Sequence, residues 1–337
     1  MRDCKMRDEE MFSSEIRMED FRRLGKAVEE PYVGRRVDYY LGKVFLFRSR
    51  TTWQRVIDER KVLVNGEAVK ASYMLKEGDE VYYYRPQSSE PPVDRNIYCL
   101  WEKSGVMAVY KPSNLPMHEG GAYRRNTFCE ALKERFGPSW APMHRLDRET
   151  SGIVLCSDQS GFRNLVSEDF YRKRVSKTYF AFVMGSVEQD EWDVDQPIGE
   201  ARQTTFRQKF WVEEGGLASQ THFKIRERAG SFTFLEVSPR TGRTHQIRVH
   251  SAWSGYPLVG DKKYCPDESV YLEYYDHGFS KRIQEAVLFD RLCLHAAKIA
   301  FTHPGDKKTY EISCELPGDM RSIWTSLSLE KRPSISP

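Results

Sequence analysis

The stretch His144-Arg145-Leu146-Asp147-Arg148-Glu149-Thr150-Ser151-Gly152 runs directly into Ile153-Val154-Leu155-Cys156. It sets one carboxylate, Asp147, among two arginines and a histidine, and nearby positive charge favours the ionised form of a carboxylate. The apolar run behind it predicts a buried strand, which would hold the acid at a rigid edge. An ordinary surface salt-bridge cluster is the competing reading of these nine residues. The rest of the chain decides between them.

A second dense polar cluster is Thr241-Gly242-Arg243-Thr244-His245-Gln246-Ile247-Arg248. It comes after a strand-like run at 232–237 and a Pro239/Gly242 turn, and a helix begins near Thr244. Arg243 therefore falls at a loop–helix junction, free to point back at a strand-edge acid. His245 and Arg248, three apart, share a helix face. A third group lies at 177–183, a strand that places Lys177, Tyr179 and Ala181 on one face and Thr178, Phe180 and Phe182 on the other. The helix before it, over 162–175, turns Phe162, Leu165 and Phe170 inward and ends in Arg172, Lys173 and Arg174.

Other elements frame these groups. A strand at 106–110 runs into Lys111-Pro112-Ser113-Asn114-Leu115-Pro116, a tight turn with Asn114 in the left-handed region. A helix is expected over 126–136 and a returning strand over 294–301. Residues 184–220 read as polar loop and the chain after Asp319 as a polar tail. Residues 265–290, with six Asp/Glu against two Lys/Arg, read as a surface insertion. Strands interleave with helices without regular βαβ units, which predicts an α+β fold with a largely antiparallel sheet.

With 337 residues, 39% hydrophobic and 30% charged, the chain has room for two domains of globular composition. Net charge is only +3, but residues 21–86 hold 14 Lys/Arg against 9 Asp/Glu. No apolar run is long enough to span a bilayer, and the charged start lacks the apolar core of a secretory signal. The 7 cysteines are odd in number and widely spaced, which predicts reduced thiols, no metal site and a cytoplasmic protein.

The basic stretch has its own pattern. Val37, Leu41, Val44 and Phe45 recur at helical spacing, Ser49 offers an N-cap for a helix carrying Trp53, Val56 and Ile57, and Asn65-Gly66 marks a hairpin. Gly78-Asp79 leads to a last strand at Val81 and Tyr83. Arg35, Arg36, Lys43, Arg48, Arg50, Arg55, Arg60 and Lys61 can line up along a phosphate backbone. A basic docking surface for protein is the alternative. Pro86 to Pro92 then separates this module from the larger C-terminal part of the chain. The expected organisation is an extension at 1–30, the module at 31–86, a Pro/Ser linker at 87–96, a catalytic domain at 97–320 and a tail at 321–337.

On Asp38, Leu41, Ser49-Arg50, Ile57, Val62, Val64-Asn65-Gly66 and Gly78-Asp79, the module resembles the alpha-L RNA-binding module of ribosomal-protein type. On His144-Arg145-Leu146-Asp147 with Thr150-Ser151-Gly152, the larger part resembles the RluA-type, ribosomal-large-subunit pseudouridine synthases. Lys111-Pro112 with Leu115 and His118, Lys177 with Tyr179 and Ala181, and Gly242-Arg243-Thr244-His245-Gln246-Ile247-Arg248 match the same family in order. So do Gly260-Asp261 with Tyr264, and Leu294-His295-Ala296. Ser113-Asn114 and Cys265 depart from the common pattern, as does the insertion.

The resemblance implies isomerisation of uridine to pseudouridine in ribosomal RNA, with no cofactor or metal and a monomeric enzyme. It casts Asp147 as the catalytic acid, Arg243 as its ion-pair partner, and Tyr179 as a ring against the base and a general base. Arg145 would fill the stack vacated by the flipped base. His144, Thr150, His245, Gln246, Arg248 and Lys111 would bind substrate, and Arg35, Arg36, Ser49, Arg50, Lys61 and Asn65 would bind RNA. Competing readings are the same chemistry on transfer RNA, a decayed RNA-binding assembly factor, and a glycoside hydrolase, which needs a second carboxylate.

Overall fold

The computed structural model describes residues 21–24, 27–45, 49–84, 90–204 and 209–329, without the side chains of 21, 22 and 275–277. The chain divides into two units, residues 1–90 and 91–337. Most of the expected N-terminal extension, residues 1–20, lies outside the described residues, as do residues 85–89, which take in the end of the expected module and the first three residues of the expected linker.

In the first unit, β1 (Phe21–Arg23), α1 (Val37–Val44), α2 (Arg50–Asp58), β2 (Val62–Val64), β3 (Glu67–Ala68) and β4 (Val81–Tyr84) come in order. The strands form one antiparallel sheet, β1-β4-β2-β3. Ser49 caps α2 by accepting the Thr52 N–H at 3.1 Å. Asn65 and Gly66, at φ 52° and 84°, make the double left-handed turn that a two-residue hairpin requires. Trp53 is fully buried and packs edge-on to Tyr83 at 5.3 Å. The unit begins earlier than residue 31: Phe21 pairs with Tyr84, and Val28 is buried in the same core.

The second unit starts with β5 (Tyr98–Lys103), β6 (Val106–Lys111), α3 (Phe128–Phe136), β7 (Ala141–Pro142), β8 (Ser151–Ser157) and α4 (Ser160–Tyr171). It continues through β9 (Ser176–Met184), β10 (Glu191–Asp195), β11 (Ile198–Glu200), β12 (Phe210–Val212), β13 (Gln220–Ala229) and β14 (Phe232–Pro239). The last elements are α5 (Gln246–Trp253), α6 (Ser269–His277), α7 (Lys281–Val287), β15 (Leu294–Thr302), β16 (Thr309–Ser313) and α8 (Gly318–Leu329). The main sheet has the order β10-β13-β14-β9-β15-β8-β6-β5, with β16 on β15 and β7 on β8. Every pairing in it is antiparallel except β8 with β15. This is the expected α+β architecture.

That parallel seam matters for function. His295 pairs with Ser151 and Ala296 with Gly152, so the residues just after the acidic motif are stitched to the middle of the sheet. All seven residues of β8 are buried, as its apolar run predicts.

Several expectations fail. The supposed loop at 184–220 contains β10, β11 and β12; strands of three to five residues are too short to show their period. Helix α4 starts at Ser160, which leaves Leu165 46% exposed and turns Val166 inward. The supposed tail is largely α8, which buries Met320, Ile323, Trp324 and Leu327 against Phe182, Val259 and Cys293; residues 330–337 lie outside the described residues. Residues 91–96 of the expected linker are part of the second unit, where the Pro91 carbonyl accepts from Asn126 and Arg95 pairs with Glu134 at 2.7 Å. The insertion folds as α6 and α7 around a small core of Cys265, Val270, Ile283 and Val287. Among the described residues no helix is long and apolar enough to cross a membrane.

At φ 120°, Gly152 holds a backbone conformation closed to other residues, and a Cβ there would overlap the Ala296 carbonyl. Gly152→Ala should therefore lower stability by at least about 2 kcal/mol through overpacking and strain. Urea unfolding checks this; an unchanged midpoint would refute it.

Candidate active site

The acidic motif forms the connection between β7 and β8, and its backbone is fixed at both ends. The Met143 N–H donates to Leu155 O at 2.8 Å, and His144 Nε2 accepts the Leu155 N–H at 3.0 Å. His144 also packs on Phe170 at 4.7 Å. Burial, helped by Lys177, pushes its pKa down to about 3, so it is the neutral acceptor this bond requires. Thr150 N–H donates to Asp147 O at 3.1 Å and closes the turn; Thr150 itself is buried.

Three side chains hold the carbonyls beyond the acid. Lys111 Nζ donates to Arg148 O at 3.0 Å, and also to Pro112 O and Leu115 O. Ser113 Oγ donates to Glu149 O at 2.6 Å, which Arg291 Nη1 also reaches at 3.2 Å. Lys111 is fully buried and does not line the cleft. It is a clamp on the loop, not the substrate contact expected from its place in the motif.

Asp147 faces a cleft of about 430 Å³ lined by Arg145, Asp147, Lys177, Tyr179, Arg243 and Arg248, among others. Its charge partner is not Arg243. Arg243 Nε donates to the Ala218 carbonyl at 3.2 Å, whereas Arg248 Nη1 lies 3.7 Å from Asp147 Oδ2. Five residues further on, Arg248 is inside the body of α5 and almost wholly buried. Its Nε and Nη2 each donate to Asp261 at 2.7 Å, and Nη2 lies 3.3 Å from Glu149 Oε2. One guanidinium thus gathers three carboxylates. Burial alone would raise the Glu149 pKa; Arg248, Lys262 and Arg148 outweigh it and bring it down to about 2.

Tyr179, on the face of β9 beside Lys177, forms a wall of the cleft. Burial, seconded by the Asp147 charge, pushes its phenol above the usual tyrosine range. Its ring is placed to pack against whatever enters the cleft beside Asp147. Lys177 was not among the expected site residues, although strand alternation placed it on Tyr179's face. Its Nζ donates to Thr241 O at 3.1 Å, and burial brings its pKa down to about 8.

The other expected residues divide clearly. Arg145 is exposed at the cleft, and no acid lies within ion-pair distance of it among the described residues. His245 starts α5 in a left-handed conformation, φ 56°, and its Nδ1 meets the Tyr264 hydroxyl at 2.7 Å; burial lowers its pKa to about 4. The Gln246 side chain is committed to Thr241, Thr221, Gln220 O and the Arg243 N–H, so it braces the turn. In the first unit, Asp38 receives Arg36, Arg50 and Gln54, at 2.6 to 3.2 Å, fixing two guanidiniums side by side while Arg35 stays exposed. Lys61 pairs with Glu59 at 2.7 Å. Ser49 and Asn65 are occupied structurally, Ser49 as a helix cap and Asn65 by Asp79 and the Glu80 N–H.

An aspartate backed by a buried arginine, a tyrosine wall and a basic rim, carried on this mixed sheet, define a class. The chain belongs to the RNA pseudouridine synthases, which are isomerases acting on RNA. Residues 105–253 match the RNA pseudouridylate synthase family and residues 35–81 the S4 domain. The chain is 31% identical over 305 residues to an RNA pseudouridine synthase of Bacillus subtilis, covering 87% of this chain and 94% of the relative. It is 31% identical to the ribosomal large subunit pseudouridine synthase C of Haemophilus influenzae, over 90% and 95% of the two chains. Among solved structures, human RNA pseudouridylate synthase domain containing 4 shares the fold, at TM-score 0.54 and 22% identity, over 70% of this chain and 94% of that one.

The two arginines make opposite predictions. Arg248→Ala leaves Asp261 and Glu149 without their shared cation and should lower stability by about 3–5 kcal/mol. Arg243→Ala removes one partly exposed hydrogen bond and should cost under about 1 kcal/mol. Equal losses in paired urea titrations would overturn the assignment.

Proposed function

We propose that this protein converts uridine to pseudouridine in large-subunit ribosomal RNA, with Asp147 as the acting carboxylate. The observation that carries the reading is Asp147 at the cleft with Arg248 3.7 Å behind it: a charge aimed outward, where a nucleotide would enter. The reaction conserves every atom. The bond from ribose C1′ to uracil N1 breaks, a bond from C1′ to C5 forms, the C5 proton leaves, and N1 takes up a proton. Nothing is oxidised or reduced. Tyr179 packs against the base, and its phenol donates a hydrogen bond.

A uridine within folded RNA must leave its stack to meet Asp147, at a few kcal/mol. Arg145, exposed and without an acid in ion-pair distance among the described residues, supplies a planar cation for the gap, and guanidinium planes stack on bases. The choice of large-subunit RNA rests on relatives that bear that name. The S4 unit supplies affinity, through Arg35 and the Asp38-fixed pair Arg36 and Arg50.

Asp147→Asn should abolish pseudouridine formation on an unmodified large-subunit ribosomal RNA transcript while leaving its affinity nearly unchanged. Retained turnover would sink the mechanism, and modification of transfer RNA alone would move the target. Replacing Arg36 and Arg50 together by Gln should reduce the slope of log affinity against log salt by about two, one per phosphate contact. An unchanged slope would remove these residues from the RNA interface.

A further inference from the structure

We propose that the C-terminal turn of α4 is an RNA-contacting lip of the Asp147 cleft. In it the Tyr171 ring stacks on an unpaired base beside the target uridine, and Lys173 takes an adjoining phosphate. This assignment rests on the proposed function and adds two residues to it.

Tyr171 is 88% exposed, more than any other large apolar side chain among the described residues, and yet it lines the cleft. The residue before it, Phe170, turns inward onto His144. An aromatic ring left in water at the edge of an active-site cleft gains nothing from burial in the free protein. A nucleobase laid on it would cover it.

The turn at the end of the helix is closed tightly. The Lys173 N–H donates to Phe170 O at 3.1 Å and the Arg174 N–H to Asp169 O at 2.8 Å. This nested pair ends a helix on a left-handed residue, a place that favours glycine. Here the residue is Lys173, at φ 59°. Its backbone strain is unnecessary for the turn, since glycine would close it more easily.

Charge is sorted along the same turn. Arg172 is tied to Glu168 at 2.6 Å and Arg174 to Asp169 at 3.4 Å, both acids of α4 itself. Lys173, with Arg145 and Arg243, lines the cleft, and among the described residues none of these three has an acid within ion-pair distance. A flat ring among unneutralised cations is the surface that single-stranded RNA takes: bases stack on aromatics, and phosphates meet the charge.

The test uses the full chain and an unmodified large-subunit ribosomal RNA transcript. Tyr171→Ala should raise Kd and KM between about 5-fold and 150-fold, the range that alanine substitution gives for one stacked base. Tyr171→Phe, which keeps the ring, should restore both. Lys173→Gly should reduce the salt slope by about one, while melting at no lower temperature than wild type because it relieves the left-handed strain. That combination separates RNA contact from a folding defect. If wild type turns over the transcript and Tyr171→Ala and Lys173→Gly keep wild-type Kd and KM, the lip assignment falls and the proposed function stands. If wild type forms no pseudouridine in any RNA, the proposed function itself falls.

Discussion

The second unit depends on one buried guanidinium. Arg248 gives Asp261 a two-pronged hydrogen bond at 2.7 Å and stands beside Glu149 and Asp147. Three acids drawn together in a protein interior repel one another and lose hydration, and a single cation does not neutralise them. Lys262 and Arg148 add positive charge around Glu149. Lys262 itself is buried, bonded to Asp290 and faced by the Tyr274 ring at 4.8 Å. The arrangement is thus a charge network whose outermost member, Asp147, is left with its carboxylate partly exposed. A buried pair of this kind contributes little net stability over an apolar substitute. Its value is in orientation.

The α6–α7 insertion gains a meaning from this network. Its residues bring Tyr274 and Phe279 over Lys262, and Tyr271 over Lys263. Both lysines lie beside the acids held by Arg248, and burial brings the Lys263 pKa down to about 8. The insertion is therefore packed onto the charges behind the Asp147 loop, rather than hung from the surface.

Much of this was legible because the deciding signals are local. A charged motif running into an apolar stretch located β8 and its acid, and strand alternation put Lys177 and Tyr179 on one face. Ser49 and Asn65-Gly66 announced a cap and a hairpin. The resemblance assigned the same two side chains to RNA, and the structure shows their polar atoms engaged in the cap and the turn. Choosing between Arg243 and Arg248 required knowing that Asp261, thirteen residues on, folds back against α5. No spacing within the motif contains that. The burial that raises the Tyr179 pKa likewise comes from residues distant in sequence. Helix α8 is different: Met320, Ile323, Trp324 and Leu327 carry helical spacing, obscured by the serines between them.

The clamp formed by Lys111, Ser113 and Arg291 on the carbonyls of Arg148 and Glu149 has a consequence for choice among uridines. A loop already immobilised before substrate arrives loses little freedom on binding, so ordering falls on the nucleic acid instead. Under the proposed reaction, discrimination would then track the deformability of the RNA. Uridines in loops, bulges or weak pairs reach the rigid acid readily, and those in stable helices do not. A stiff site of this kind senses local softness in its substrate before it reads sequence.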